Sequence, residues 1–519
     1  MKSHLSYYLS HFGKDLPASI VVFLVALPLC LGIALASGAP LFSGVIAGII
    51  GGTVVGLASG SHLSVSGPAA GLTVIVFDAI ATLGDFKSFL LSVLIAGVLQ
   101  ISLGYLKAGL IGAFFPASVI KGMLAAIGMI LIIKQTPHAT GFDTSYDGDE
   151  SYMQETASSS FSELIQSLDG ISPGATLVSA ISLGILIIWD TGFLKRFRLV
   201  QMIPGPLLVV IWGVTYNLLT QQYWPEWVIS EKHLVSLPDL GSTSNFMAQL
   251  NLPDFSSWKN PKIYSIATTL AVIASLETLL SIEAVDKLDP HKRIAPTNRE
   301  LKAQGLGNIL SGLMGGLPIT AVIVRSSANI NAGGQTRMSC VLHGLFLMVS
   351  VLFLAEYLNM IPLACLAAIL LQTGYKLAKP TMLIDFYHKG WNQFLPFMIT
   401  IIAILVTDLL QGIVLGMSVG IFFVLRANFH EAITLTEHGS HYLLRLHKDV
   451  SFLNKALLRK HLTAIPNNVE LLIDGNKSLF IDQDILEAIA DFLLAAPDRN
   501  INVELQGFNL SDINPSEGH

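Results

Sequence analysis

Charged residues and cysteines are both scarce in this chain. Only 13% of its 519 residues are charged, about half the share of roughly 25% found in soluble proteins. The three cysteines lie in apolar segments without CxxC spacing, which argues against a disulfide framework or a thiolate metal site. HExxH and P-loop motifs are missing, so we expect neither an enzyme nor a bound cofactor. The small net charge of -6 gives no indication of nucleic-acid binding.

Long apolar runs are what the chain has in quantity. Hydrophobic residues make up 52% of the sequence. Runs such as "SFLLSVLIAGVLQISLG" from Ser88 and "FMITIIAILVTDLLQGIVLGMSVGIFFVL" from Phe397 can cross about 30 Å of hydrocarbon once or twice. We expect the first apolar stretch to be a retained helix and not a signal peptide. The composition therefore predicts an α-helical polytopic membrane protein in contact with the lipid bilayer.

The apolar runs predict fourteen helices in two sets of seven, which form a transmembrane domain over 1–427. The first set, in a repeat of about 17–220, lies at roughly 17–36, 42–59, 66–81, 87–105, 117–134, 174–192 and 202–220. The second set, in a repeat of about 263–427, lies at roughly 263–284, 303–316, 320–331, 338–357, 361–376, 394–408 and 410–428.

Positive charge alternates between the loops. The segments "KRFR" from Lys195, "DKLDPHKRIAPTNRELK" from Asp286 and "KLAKPTMLIDFYHK" from Lys376 are basic. The long loops from Thr140 and Gln221 are acidic or nearly neutral. Cytosolic loops carry the excess of Lys and Arg, so this pattern places both termini in the cytosol.

The composition changes after about Ala427. Short strand patterns then alternate with amphipathic helices, and the run "VELLID" predicts a strand at Val469 to Asp474. We therefore expect a small cytosolic α/β domain over 428–519.

Two apolar segments are broken by glycine and proline at matching places in the two sets. "GSHLSVSGPAAGLTVIV" begins the third element of the first set, and "GGLPITAVIVR" begins its counterpart in the second. A helix that starts inside the bilayer needs a partner for its free N–H groups. We predict that Ser66 to Pro68, which include Gly67, and Pro318 to Val322, which include Thr320, lead into two half-helices whose N-termini face one anion.

Two ionisable residues within the predicted spans are functional candidates. Glu277 and Ser281 lie at i and i+4 on one helix and can bind Na+ through oxygen atoms, or Glu277 can carry a proton. The alternative is that Glu277 caps or pairs with a neighbouring helix. Arg325 lies one turn into the second half-helix, where it either strengthens the positive field or pairs with a carboxylate.

Five segments, met in order along the chain, resemble the SulP family of anion transporters. They are "LPLCLGIALASGAPLFSGVIAGIIGG", "GSHLSVSGPAAGLTVIV", "FPASVIKGMLAAIGMILIIKQ", "SLETLLSIEAVDKLD" and "GGLPITAVIVRSSANINAGGQTRMSCVLHG". The tail is similar to a STAS domain, with "LLIDGNKSLFIDQD" in the place of its central strand and following loop. The resemblance implies a 7+7 inverted repeat of core and gate domains, an elevator movement and a homodimer, to which the STAS-like domain can contribute.

The resemblance also assigns the sites by position. It implies that the anion meets the backbone near Ala69 and Ala70 and near Ala321, Val322 and Ile323, with Arg325 adding charge. Glu277 and Ser281 stand where sodium-coupled bicarbonate carriers of the family have an aspartate and a threonine. Leu29 and Ile33 stand where several members have a glutamine and an aromatic residue beside the anion.

These positions favour a small anion held by backbone N–H groups. We expect a secondary active transporter of bicarbonate, coupled to Na+ or H+, in the inner (plasma) membrane of a bacterium. The segment "FPASVIKGMLAAIGMILIIKQ" also resembles members linked to carbonic anhydrases. Sulfate or dicarboxylate symport, and an uncoupled anion channel or exchanger, are the alternatives.

Overall fold

The computed structural model describes residues 2–110, 116–141, 172–191, 203–238, 250–407, 409–430 and 432–508. The chain forms two compact units. One unit comprises Met1–His388 and Phe397–Val414, and the other comprises Lys389–Pro396 and Leu415–His519. Two of the segments used for the orientation, "KRFR" at Lys195 and most of the acidic loop after Thr140, lie outside the described residues.

The first half of the larger unit contains seven α-helices among the described residues. The second, α2, continues through a π-helical segment, Gly51–Val55, into a last turn, Gly56–Ala58. The helices are α1 Lys2–Ala36, α2 Leu41–Ile50, α3 Thr73–Leu83, α4 Phe86–Tyr105, α5 Ala117–Thr140, α6 Pro173–Trp189 and α7 Gly205–Tyr223.

The chain continues with α8 to α15, of which α14 and α15 are divided between the two units. These helices are α8 Pro261–Leu288, α9 Thr297–Met314, α10 Ile323–Asn331, α11 Met338–Leu358, α12 Leu363–Leu377, α13 Pro380–His388, α14 Trp391–Val406 and α15 Leu409–His430. Six helical segments of the described chain are long and apolar enough to cross a membrane, and several shorter apolar helices accompany them. The prediction of a helical membrane protein is confirmed.

The helices predicted over 66–81 and 320–331 are wrong at their starts. Strand β1, Ser66–Pro68, and strand β2, Ile319–Ala321, precede the helices α3 and α10. The strands pair with each other in antiparallel orientation. Extended backbone inside a membrane protein must find hydrogen-bond partners, and each short segment supplies them to the other. Such a pairing joins distant parts of the chain, so local periodicity does not reveal it.

Two further differences concern polar segments. Helix α9 begins at Thr297 and not near 303. Its first turns are polar, with Glu300 and Gln304 buried, so the apolar pattern did not reveal its start. Helix α13 occupies the basic loop after Lys376, where no helix was predicted.

Where Gly97 of α4 crosses Gly305 of α9, a Cβ atom on either glycine would lie 2.6 Å from the other's carbonyl oxygen. The two helices therefore pack backbone against backbone.

The smaller unit contains a four-stranded sheet in the order β3-β4-β5-β6. The strands are β3 Ile433–His438, β4 His441–Leu446, β5 Glu470–Asp474 and β6 Asn502–Gln506. The first two are antiparallel, and β4, β5 and β6 run parallel. Helices α16, Lys455–Ala464, and α17, Gln483–Ala495, complete an α/β arrangement. The strand predicted at Val469 to Asp474 is confirmed as β5.

Candidate functional site

The strand pair β1–β2 lies at the centre of the candidate site. Ser66 is opposite Ala321, and Gly67 is opposite Thr320. All six strand residues are buried. The pairing extends one step further, because the Val322 N–H donates to the Val65 carbonyl at 2.9 Å. Because the strands are antiparallel, the helices that follow them begin at opposite ends of the pair. The N-terminus of each helix therefore lies beside the pair.

Both helices leave backbone donors free at their N-termini. On the first side a 3-10 turn, Ala70–Leu72, leads into α3, and the N–H groups of Ala70 and Gly71 have no hydrogen-bond acceptor within the described chain. On the second side the first helical bond of α10 comes from Ser326. The N–H groups of Ile323 and Val324 likewise lack an acceptor among the described residues. Free N–H groups and the positive helix end together favour an anion.

Some of the predicted contact atoms are engaged within the protein. The Ala321 N–H donates to Thr278 Oγ1 at 3.3 Å, and the Val322 N–H is used in the strand pair. Thr320 Oγ1 donates to the Ala321 carbonyl at 3.3 Å, and Ser66 Oγ accepts a hydrogen bond from Gln304. Of the backbone contacts predicted in the second half, the Ile323 N–H has no acceptor among the described residues, and the same holds for the neighbouring Val324 N–H.

Glu277 of α8 lies against the start of the first half-helix. Its Oε1 is 2.6 Å, and its Cδ is 2.9 Å, from the position that a Cβ atom on Gly71 would occupy. Glu277 Oε2 is enclosed and has no hydrogen-bond partner in the described part of the chain. Glu277 was predicted to bind Na+ or to carry a proton, and its carboxylate lies at the helix end where the anion was predicted. Capping of a neighbouring helix through a hydrogen bond is not observed among these residues.

Ser281, the second predicted cation ligand, is buried with 3% of its surface exposed. It lies one turn after Glu277 on α8. Ser281 and Glu277 offer hydroxyl and carboxylate oxygens, which are ligands suited to Na+. No group of three or more His, Cys, Asp or Glu side chains within the described ranges could hold a metal ion.

Arg325 is fully buried beside the strand pair. Its Nη2 donates to the Pro68 carbonyl of β1 at 3.2 Å, and a Cβ atom on Gly67 would overlap Nη1. Nε and Nη1 have no hydrogen-bond partner among the described residues, and these residues show no ion pair between Arg325 and a carboxylate. The guanidinium therefore places a positive charge next to β1.

Leu29 and Ile33 are buried on α1, with 7% and 4% of their surfaces exposed. They lie at i and i+4 and therefore share one face of the helix. Their aliphatic side chains have no hydrogen-bond donors.

A polar face of α9 was missed by the sequence analysis. Glu300, Gln304 and Asn308 are each at most 2% exposed, and they contact the elements of the site. The segment "ELKAQGLGNI" spaces them four residues apart. That spacing in a buried helix was the available signal, but the predicted start at 303 left Glu300 outside the helix, and uncharged amides were not considered.

The chain matches a known family and several of its characterised members. The family model described as the sulfate permease family matches residues 12–403. The putative sulfate transporter YvdB of Bacillus subtilis is 26% identical over 453 residues, which cover 86% of this chain and 79% of that protein. The bicarbonate transporter BicA of Picosynechococcus sp. is 29% identical over 370 residues, which cover 69% of this chain and 61% of that protein.

Solved structures show the same fold. The transmembrane domain of a cyanobacterial bicarbonate transporter BicA has a TM-score of 0.64 and 25% identity, and the match covers 78% of this chain and 97% of that structure. The structure of SLC26A9 has a TM-score of 0.76 at 16% identity, and the match covers 98% of this chain and 86% of that structure. The chain therefore belongs to the sulfate permease family, and it is an anion transporter and not an enzyme.

Proposed function

We propose that this protein is a secondary active transporter of a small oxyanion, with bicarbonate as the preferred substrate, coupled to Na+ or H+ at Glu277. The observation that carries the proposal is the position of the Glu277 carboxylate against Gly71. There a carboxylate oxygen without a hydrogen-bond partner in the described part of the chain lies at a helix N-terminus whose first N–H groups also lack an acceptor there. One small volume thus contains both a group that repels an anion and groups that attract one.

Electrostatics turns this proximity into coupling. Two unit negative charges about 4 Å apart repel each other by about 4 kcal/mol at the effective dielectric constant of a protein surface. That repulsion lowers anion affinity by roughly a thousandfold. A Na+ ion bound by Glu277 and Ser281, or a proton on Glu277, removes the repulsion. The anion then binds well only when the cation is present, which is the condition for symport.

Selectivity follows from the lack of donor side chains. Ala70 and Gly71 on one side, and Ile323 and Val324 on the other, offer backbone N–H groups and no polar side chain. Leu29 and Ile33 contribute no donor on α1. This environment favours a small, singly charged anion over a large dicarboxylate. Sulfate stays the second candidate, because Arg325 adds a positive charge beneath β1, and the relative YvdB is named a putative sulfate transporter.

The architecture that we propose has fourteen spans in a 7+7 inverted repeat. The first repeat is α1 to α7, with β1 and α3 forming one span. The second repeat is α8 to α12 with α14 and α15, where β2 and α10 form one span and α13 lies along the cytosolic surface. We further propose cytosolic termini, an elevator movement of a core domain against a gate domain, and a STAS-like tail that supports a homodimer. A functional link to carbonic anhydrase would supply bicarbonate.

The proposal is tested by transport into proteoliposomes that contain the purified full-length protein. Labelled bicarbonate and labelled sulfate are supplied separately, under an inward Na+ gradient, an inward H+ gradient or no gradient. We expect accumulation of bicarbonate that one cation gradient drives and that dissipation of this gradient abolishes. Uptake of both anions at rates that no cation gradient changes would instead identify an uncoupled channel or exchanger.

A further inference from the structure

Helix α9 carries three buried polar side chains on one face. Glu300 and Gln304 are fully buried, and Asn308 is 2% exposed. Their spacing of four residues places them above one another along the helix. Buried polar groups are unfavourable unless they are hydrogen-bonded, and in membrane helices they mark functional positions.

Asn308 holds strand β2 by its backbone. Asn308 Oδ1 accepts a hydrogen bond from the Ile319 N–H at 2.6 Å, and Asn308 Nδ2 donates to the Ile319 carbonyl at 3.1 Å. Because the Ile319 N–H can only donate, the Asn308 amide must place its oxygen at this N–H and its nitrogen at the Ile319 carbonyl. Both polar backbone groups of the first β2 residue are thus satisfied by one side chain.

Gln304 holds strand β1 one turn earlier. Gln304 Nε2 donates to Ser66 Oγ at 2.7 Å and to Glu300 Oε1 at 3.1 Å. The other oxygen of Glu300 accepts hydrogen bonds from Ser59 Oγ at 2.5 Å and from the Gly60 N–H at 3.3 Å. The Glu300 carboxylate therefore fixes the orientation of the Gln304 amide, and Gln304 fixes the first residue of β1.

Hydrogen bonds also connect Asn308 with the helix that carries Glu277. Asn308 Nδ2 donates to Gln100 Oε1 on α4 at 2.6 Å. Gln100 Nε2 then donates to Ser275 Oγ on α8 at 3.3 Å. Ser275 lies two residues before Glu277, so this chain joins strand β2 to α8 near the carboxylate.

We propose that Gln304 and Asn308 are the positioning residues of the anion site. Helix α9 supplies one amide to each strand, and the two amides together set the place of both strands and hence of the free helix N-termini that follow them. This inference rests on the proposed function, because it takes the anion to bind at those N-termini. Neither residue touches the anion.

Removal of either amide should weaken anion binding more than it slows the transport cycle. Asn308→Ala leaves both Ile319 backbone groups buried without partners, and Gln304→Ala releases Ser66. We expect the KM for bicarbonate to rise about tenfold, as for the loss of one or two buried hydrogen bonds. The kcat should change less than about twofold, because the groups that carry the charge are retained.

The matched control is Asn298→Ala on the same helix. Asn298 Oδ1 accepts a hydrogen bond from the Gly109 N–H at 2.8 Å, away from both strands. This control loses an amide hydrogen bond of similar length, so its KM should equal that of the wild type. Ser66→Ala removes the hydrogen bond to Gln304 by changing the strand residue, and it changes the side-chain volume much less than Asn308→Ala does. It tests the inference if Asn308→Ala fails to fold.

The measurements are initial rates in proteoliposomes and the rise in unfolding temperature of the detergent-solubilised full chain with added sodium bicarbonate or sodium sulfate. A raised KM and a smaller anion-induced temperature rise in Asn308→Ala, Gln304→Ala or Ser66→Ala, but not in Asn298→Ala, support the inference. If the KM and the anion-induced temperature rise of all variants equal those of Asn298→Ala, the inference is overturned while the proposed function stands. Lack of any anion effect in the wild type overturns the proposed function itself.

Discussion

The Glu277 carboxylate occupies space that only a glycine at position 71 leaves open. Glu277 Oε1 lies 2.6 Å from the place of a Cβ atom on Gly71, closer than carbon and oxygen atoms approach without a bond. Gly71 belongs to the 3-10 turn that begins the first half-helix. The contact therefore links the group proposed to bind the cation with the backbone proposed to bind the anion, and it suggests direct tests of both.

Gly71→Ala should separate the cation site from the anion site. The added methyl group must displace the carboxylate, since both Oε1 and Cδ of Glu277 lie within 2.9 Å of it. We expect cation-driven uptake to fall at least about tenfold, in line with the energy of overpacking a tight contact. Gly184→Ala on α6 is the control, because no atom lies within 4 Å of its added methyl group. Equal uptake by the two variants would contradict the contact.

Glu277→Gln should abolish coupling and preserve the fold. Glutamine has nearly the same shape as glutamate, but it neither carries the charge nor exchanges a proton. Anion binding should then become independent of Na+ and of pH, and concentrative uptake should be lost. The control is Glu283→Gln on the same helix, whose carboxylate is exposed and pairs with Lys287 at 2.5 Å. Gradient-driven uptake by Glu277→Gln at the wild-type rate would remove Glu277 from the cation site.

A contact between α3 and α5 should affect the rate of the transport cycle. Lys134 Nζ lies 3.3 Å from the centre of the Phe77 ring and 3.7 Å from Asp78 Oδ1. If a core domain that includes α3 slides past a gate domain that includes α5, this contact must break in each cycle. We expect Lys134→Met to change kcat by about two- to threefold, which matches a partly exposed cation–π contact.

The same variant should leave the KM unchanged, because Lys134 is not one of the groups assigned to the anion. Lys121→Met, at an exposed position of α5, is the control for loss of a positive charge on this helix. Counterflow exchange of labelled bicarbonate measures the cycle without a net gradient. A change in KM with constant kcat would show that Lys134 acts at the anion site.

The smaller unit should lose stability in acid through Asp474. Donation from the Asn476 N–H at 3.1 Å lowers the pKa of Asp474 most, and Arg445, 2.8 Å away, lowers it further against the opposing effect of burial. A carboxyl group with a lowered folded-state pKa stabilises the fold above its unfolded pKa, about 3.9. This stabilisation is lost as the pH falls through the folded pKa.

Hydrogen exchange of β5 in the full-length protein can measure this effect. In the wild type, protection of the strand should decline as the pH falls below about 4. In Asp474→Asn the protection should be lower at neutral pH and nearly independent of pH in the acid range. An equally steep acid decline in Asp474→Asn would assign the effect to another carboxyl group.

The sequence predicted the helices well because their signal is local. An apolar run long enough to cross the membrane identifies α4 or α11 without knowledge of any neighbour. The positions of Glu277 and of the two broken helices were also predicted, since charge and proline are unusual within apolar segments. These features need no information about contacts.

The parts that were missed depend on contacts between distant residues. Strands β1 and β2 are three residues each, and each is extended only because the other is its partner. The role of Asn308 depends on a backbone residue eleven positions away that folds back onto α9. The overlap of Glu277 with the space beside Gly71 joins α8 to the start of α3. No periodicity within a single segment contains this information.

The pairing of β1 with β2 also determines when the site can form during synthesis. The ribosome completes Ser66–Pro68 long before it reaches Ile319–Ala321. In the interval, the earlier strand has no partner for its backbone groups, and α3 cannot be fixed in place. The pair can form only after α9 and the second strand have been made, so we expect the proposed binding site to be completed late in synthesis.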